Sequence, residues 1–232
     1  EREPGTLALT EDNRILAACV DKVYVLTDDG QMLPMHQPAR LLAKQFNDGK
    51  VGPDGKFYVG TIYGDEAGGL YCLDNAGRLS LLYTGLSMSN GMDWSMDERS
   101  MFLADTERRH ILRFDFDPQC GLLQNRRVMT EIPAGLGGPD GLCVDAEDKI
   151  WCALCGSGHV GRIDPISGKI MCAVKLPVAD VTSCTFVGDD LSLLAVTTAD
   201  FGGKNCDTAD QAGFTFLLEV GVRGRQPYRF KC

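Results

Sequence analysis

The chain has 232 residues, 44% of them apolar and 24% charged, with 27 glycines and a formal net charge of −9. That charge, with no basic stripe along the chain, excludes a nucleic-acid partner, because such proteins need clustered Lys and Arg to displace counterions from phosphates. No apolar run approaches the roughly 20 residues of a bilayer-spanning helix. The opening Glu1-Arg2-Glu3-Pro4-Gly5 does not read as a signal peptide, so a soluble chain with no membrane partner is expected.

The elements, taken in chain order, are short alternating strands separated by turn residues, with no sustained 3.6-residue period. One four-strand unit recurs. A first copy runs from Gly5 to about Gln37, a second from Asn47 to about Leu86, a third from Asn90 to Thr130, a fourth from Asp140 to Leu176 and a fifth from Thr182 toward Val220. The turns inside the units are explicit: Asp28-Asp29-Gly30, Pro53-Asp54-Gly55, Asn75-Ala76-Gly77 and Pro165-Ile166-Ser167-Gly168. A period of about 40 to 50 residues is the length of a propeller blade of four antiparallel strands. The chain is therefore expected to be all-β, a single β-propeller domain over residues 1–232 with about five blades present.

In a propeller the first strand of each blade lines the central channel. Asn47-Asp48, Ser89-Asn90, Pro139-Asp140-Gly141 and Thr182-Ser183 occupy the equivalent place, in the entry loop just before or at the start of that strand, in four successive units. Amide and carboxylate oxygens are the hard ligands that Ca²⁺ and Mg²⁺ select, whereas Zn²⁺ favours His and Cys. None of His36, His110 and His159 falls on those segments, and none has a partner in view. The expectation is one divalent ion, Ca²⁺ first, with Zn²⁺, Mn²⁺ or Mg²⁺ as substitutes.

Other features read as structural. The ten cysteines show no framework spacing and sit mostly in strand-like runs, as small buried hydrophobes of a reducing, cytoplasmic compartment. The one C-x-x-C, Cys152 and Cys155, falls within a strand, where an odd separation sends the side chains to opposite faces. Trp94 and Trp151 are expected in the core, and Asp105, Asp115, Asp145 and Asp164 recur at strand ends as turn caps. Asp207 and Asp210 lie in a late loop and have no distinguishing feature. Ser157 beside His159 sits in a turn, and no G-x-S-x-G elbow occurs.

Phe46-Asn47-Asp48-Gly49-Lys50-Val51, Gly55 to Thr61, Ser89 to Ser95, Pro139 to Asp145 and Val174 to Val178 with Thr182-Ser183 together resemble the SMP-30/gluconolactonase/regucalcin family, in order from about Gly5 to the C-terminus. The resemblance implies a six-bladed propeller that binds one divalent metal and hydrolyses sugar lactones. It makes Asn90 and Asp140 metal ligands, Asp140 also the catalytic base, and Asn47 a substrate contact near the metal. Asp65 would help hold sugar hydroxyls, and Thr182-Ser183 would support the channel. Two departures stand out. Gln45 occupies the place of the family's substrate-binding arginine, and the glutamate ligand of the family's first blade has no match, so the first blade is expected to lie outside this chain. The implied activity is a metal-dependent gluconolactonase-type hydrolysis of a small lactone by activated water. The alternative is a non-catalytic calcium-binding regulator of the same family.

Overall fold

The computed structural model describes residues 3–20, 22–36, 45–62, 68–201 and 211–231. The fold is all-β and consists of five antiparallel meander sheets, the blades of a β-propeller. The first sheet holds β1 (Pro4–Leu9), β2 (Ile15–Cys19), β3 (Lys22–Leu26) and β4 (Met32–Pro34). The second holds β5 (Gln45–Val51), β6 (Phe57–Ile62), β7 (Gly68–Leu73) and β8 (Leu79–Leu86). The third holds β9 (Ser89–Trp94), β10 (Ser100–Asp105), β11 (His110–Asp117) and β12 (Leu122–Glu131). The fourth holds β13 (Gly138–Val144), β14 (Ile150–Cys155), β15 (His159–Ile163) and β16 (Ile170–Lys175). The fifth holds β17 (Val181–Val187), β18 (Leu193–Thr198) and β19 (Thr215–Glu219), three strands among the described residues.

Burial follows strand position. The strands β6, β7, β9 and β10 are buried at every residue, as strands covered on both faces are. The fourth strands β8, β12 and β16 are mostly exposed. The hairpins carry the chemistry expected of them: Gly30, Gly55, Gly77 and Gly168 close their turns at φ of 79°, 76°, 76° and 69°, backbone that a Cβ would strain.

Two compact units share the chain. The unit of residues 1–90, 116–123 and 227–232 is centred on Phe46, Phe57, Val59, Tyr71 and Phe230. Phe46 and Tyr71 meet edge to face with centroids 6.1 Å apart, and Phe230 pairs with Thr10 beside β1. In the unit of residues 91–115 and 124–226, one cluster gathers Trp151, Cys143, Cys184, Phe186 and Leu194, and a second gathers Phe102, Leu142, Ile150 and Leu154. Trp94 and Trp151 are core residues, 0% and 2% exposed.

Candidate metal centre

The pairing of first and second strands slips at the same place in four sheets. The register shifts between Pro4 and Thr6 in β1, Phe46 and Gly49 in β5, Pro139 and Leu142 in β13, and Val181 and Ser183 in β17. Such a bulge leaves residues outside the ladder and re-aims their side chains. The residues it frees are Gly5, Asn47-Asp48, Asp140-Gly141 and Thr182. The site candidates therefore lie inside the first strands rather than in loops ahead of them. Their turn-like composition is the composition of a bulge, where Gly and Asx residues tolerate irregular backbone.

In the first unit, Asn47 donates its Nδ2 to the Ser89 carbonyl at 2.9 Å. That commitment fixes the amide, so Oδ1 is the face left to accept or to ligate. Asp48 is used locally: its Oδ1 accepts from the Gly49 N–H at 2.7 Å and from Thr6 Oγ1 at 3.1 Å. Burial drives its carboxyl above the usual range, against the opposing Gly49 hydrogen bond and nearby Lys50. Asp48 thus braces the bulge. Asn90 is the second residue of β9 and is buried, while its neighbour Ser89 packs against Gly60 with a buried hydroxyl that has no hydrogen-bond partner among the described residues. Gln45 opens β5, half-buried. Asp65 lies outside the described residues, as do Asp207 and Asp210.

In the second unit, Asp140 is half-buried at the third position of β13. A side chain on Gly91 would lie 2.5 Å from the Asp140 carbonyl and 2.6 Å from Gly141 Cα, so the glycine lets β9 lie directly on the bulge of β13. On the other side Gly141 lies against Ser183 of β17. Thr106 Oγ1 donates to the Pro139 carbonyl at 2.8 Å, and Thr182 meets Thr197 at 2.9 Å between hydroxyls. Burial, with the Asp140 carboxylate, pushes the Cys152 thiol up, and burial with Asp140 and Asp180 pushes Cys155 up to about 12. Within β14 the two are three positions apart and face opposite sides of the sheet, so they do not form a pair. The acidic donor of this unit's bulges is the Asp140 carboxylate, an oxygen ligand of the type a hard divalent cation selects.

Two residues escaped the sequence reading. Asp93, buried in β9, accepts from the Trp94 N–H at 2.8 Å and from the Val144 N–H of β13 at 2.9 Å, and it pairs with the Arg225 guanidinium. The Val144 bond fastens β9 to β13 a few residues beyond the bulge. Its signal in the sequence is the charge set in the apolar run Met92-Asp93-Trp94. The turn-cap reading holds for Asp145, which accepts from the Glu147 and Lys149 amides at 2.9 Å and also from Trp151 Nε1 at 3.0 Å. Asp115 instead pairs across strands with Asn125 and Arg127. His36 does have a partner, accepting the Val23 N–H at 3.0 Å. Ser157 sends its hydroxyl to the Leu154 carbonyl at 2.9 Å, with His159 Nδ1 at 3.4 Å, which is no nucleophile–base geometry.

Blades with bulged, oxygen-bearing first strands define the class, a β-propeller protein with candidate cation ligands. Residues 1–200 match the model of the SMP-30/Gluconolactonase/LRE-like region, and the chain belongs to that family. A regucalcin of Danio rerio is 40% identical over 194 residues, 80% of this chain and 66% of the relative. The chain therefore spans just under two thirds of that relative's length. A solved structure of a calcium-binding protein, regucalcin, from Agrobacterium tumefaciens superposes with a TM-score of 0.87 at 27% identity, covering 100% of this chain and 80% of that one. A luciferin-regenerating enzyme also gives 0.87, at 23% identity, covering 100% and 83%; at that identity it speaks to the fold alone.

Proposed function

We propose that the protein is a metal-dependent lactonase acting on a small sugar lactone, with Asn90 and Asp140 holding one divalent ion, most fittingly Ca²⁺. The observation that carries the reading is the bulge between Pro139 and Leu142, which takes Asp140 out of the β-ladder, in a chain whose family includes gluconolactonases. The two ligands are taken from the family motif. A bound divalent ion would supply Lewis acidity toward the lactone carbonyl and acidify water. Asp140 carries the proton work, accepting the proton of the attacking water at its carboxylate. Asn47, its Nδ2 held by Ser89, presents Oδ1 to the substrate. Gln45 offers a neutral amide where an arginine would bring charge, which favours an uncharged lactone over an acidic one. Asp65 is assigned to the sugar hydroxyls on the motif match. The free cysteines among the described residues support a reducing compartment, the cytoplasm.

A second reading is a non-catalytic calcium-binding regulator, favoured by the regucalcin relatives. Aldonolactone hydrolysis, measured with and without Ca²⁺, Zn²⁺ and Mn²⁺ and with Asp140→Ala as control, separates the two. The lactonase reading predicts turnover that needs metal and falls by about 10²–10⁴-fold in Asp140→Ala. Metal-independent turnover unchanged by the substitution contradicts the mechanism, and metal binding without turnover supports the regulator.

A further inference from the structure

We propose that Cys143 and Cys184 are a reversible dithiol–disulfide site joining the first strands of the fourth and fifth sheets. Their sulfurs lie 4.0 Å apart although the residues are 41 positions apart in sequence. The closeness is built by the backbone. Gly141 has no side chain to hold β13 away from Ser183 of β17, so the two strands run in direct contact and the side chains beyond them meet. Both cysteines are 4% exposed, within the apolar cluster of Trp151, Val181, Phe186 and Leu194.

The surroundings select the chemistry. Tetrahedral zinc would need two further nitrogen, sulfur or carboxylate ligands, and the described residues of this cluster supply none. Besides Cys143, the Cys184 sulfur meets the carbonyls of Trp151 at 3.3 Å and Gly141 at 3.8 Å. A disulfide asks for an S–S distance of about 2.05 Å, so the two sulfurs must approach by about 2 Å, which rotation about the two χ1 bonds can contribute to. The co-reactant is a low-molecular-weight disulfide of the glutathione class. One cysteine, as thiolate, attacks its S–S bond, releases one small thiol and becomes a mixed disulfide. The second then attacks the protein sulfur of that mixed disulfide and releases the other small thiol. In balance, two protein thiols lose two protons and two electrons, and one small disulfide becomes two thiols. Because the pair is buried, the first attack proceeds during local opening of the sheet contact, more slowly than at Cys120 and Cys172, which are exposed.

The test incubates the full chain with glutathione disulfide or diamide, blocks the remaining thiols, and maps the peptides by mass spectrometry without reduction. The expected product is the Cys143 peptide joined to the Cys184 peptide, two hydrogens lighter than the pair and released by dithiothreitol. The Tm should rise by about 5–10 °C, as closing a loop of this length constrains the unfolded chain. Cys143→Ala should abolish the link and the Tm rise together. Should that variant fail to fold, the peptide map of the unsubstituted chain still decides. Recovery of Cys143 and Cys184 as free thiols while Cys120 and Cys172 carry mixed disulfides would overturn the inference, as would a link that forms only in denaturant. The outcome does not depend on lactone hydrolysis: a linked chain with no lactonase activity leaves this site standing.

Discussion

At the scale of single residues, Asp48 and Asp140 sit on equivalent bulges of β5 and β13. Asp140 is half-buried at its bulge, and Asp48 accepts at its Oδ1 from Thr6 and Gly49. The cost of that arrangement is electrostatic. Burial raises the Asp48 pKa above 3.8, so the folded state holds the proton more tightly than the unfolded chain does. A raised folded-state pKa contributes stability that is present below the ordinary value and lost as pH rises through the raised one. At neutral pH the ionised group is therefore a burden. Asp48→Asn keeps an acceptor for both donors and removes the charge. Its Tm should exceed that of the parent near pH 7, and the gap should close below about pH 4; thermal melts at the two pH values check this, and an equal gap at both would exclude the burial argument.

At the scale of elements, the candidate site depends on how first strands touch. Gly141 admits Ser183 because nothing projects from it, and an added methyl would overlap that side chain. Gly141→Ala should destabilise by about 1–3 kcal/mol in urea unfolding, and the double change with Ser183→Gly should recover a large part of the loss. A second fastening is Asp93 with Arg225. Their side chains are 6% and 13% exposed, and breaking one partner of such a pair strands the other along with the Trp94 and Val144 amides. Asp93→Ala should cost about 3–5 kcal/mol, against a smaller loss for Asp93→Asn, which retains an acceptor for one of the two amides.

At the scale of the whole molecule, the repeat in the sequence carried the architecture. The copies beginning near Gly5, Asn47, Asn90, Asp140 and Thr182 coincide with the five sheets, because each copy restarts with small and polar residues, bulged in four of the sheets, and closes its turns with Asp and Gly. Trp94, Trp151 and Asp145 were legible for the same reason: alternation and turn position decide burial and capping locally. The placement of Asn47, Asn90 and Asp140 within strands was not legible, since a bulge and a turn use the same dipeptides and only the pairing register tells them apart. Nor were Asp93 with Arg225, or Cys143 with Cys184. Those contacts join residues 132 and 41 positions apart, and no local pattern reports a partner at that distance.

Asp140 is proposed to hold a divalent cation. Calorimetric titration of the metal-stripped chain with Ca²⁺, set beside Asp140→Ala whose fold is verified by circular dichroism, tests it most directly. One ion per chain is expected, with affinity at least about 100-fold weaker in the variant, since the cation loses its charged ligand. Equal affinity in the folded Asp140→Ala chain would contradict it.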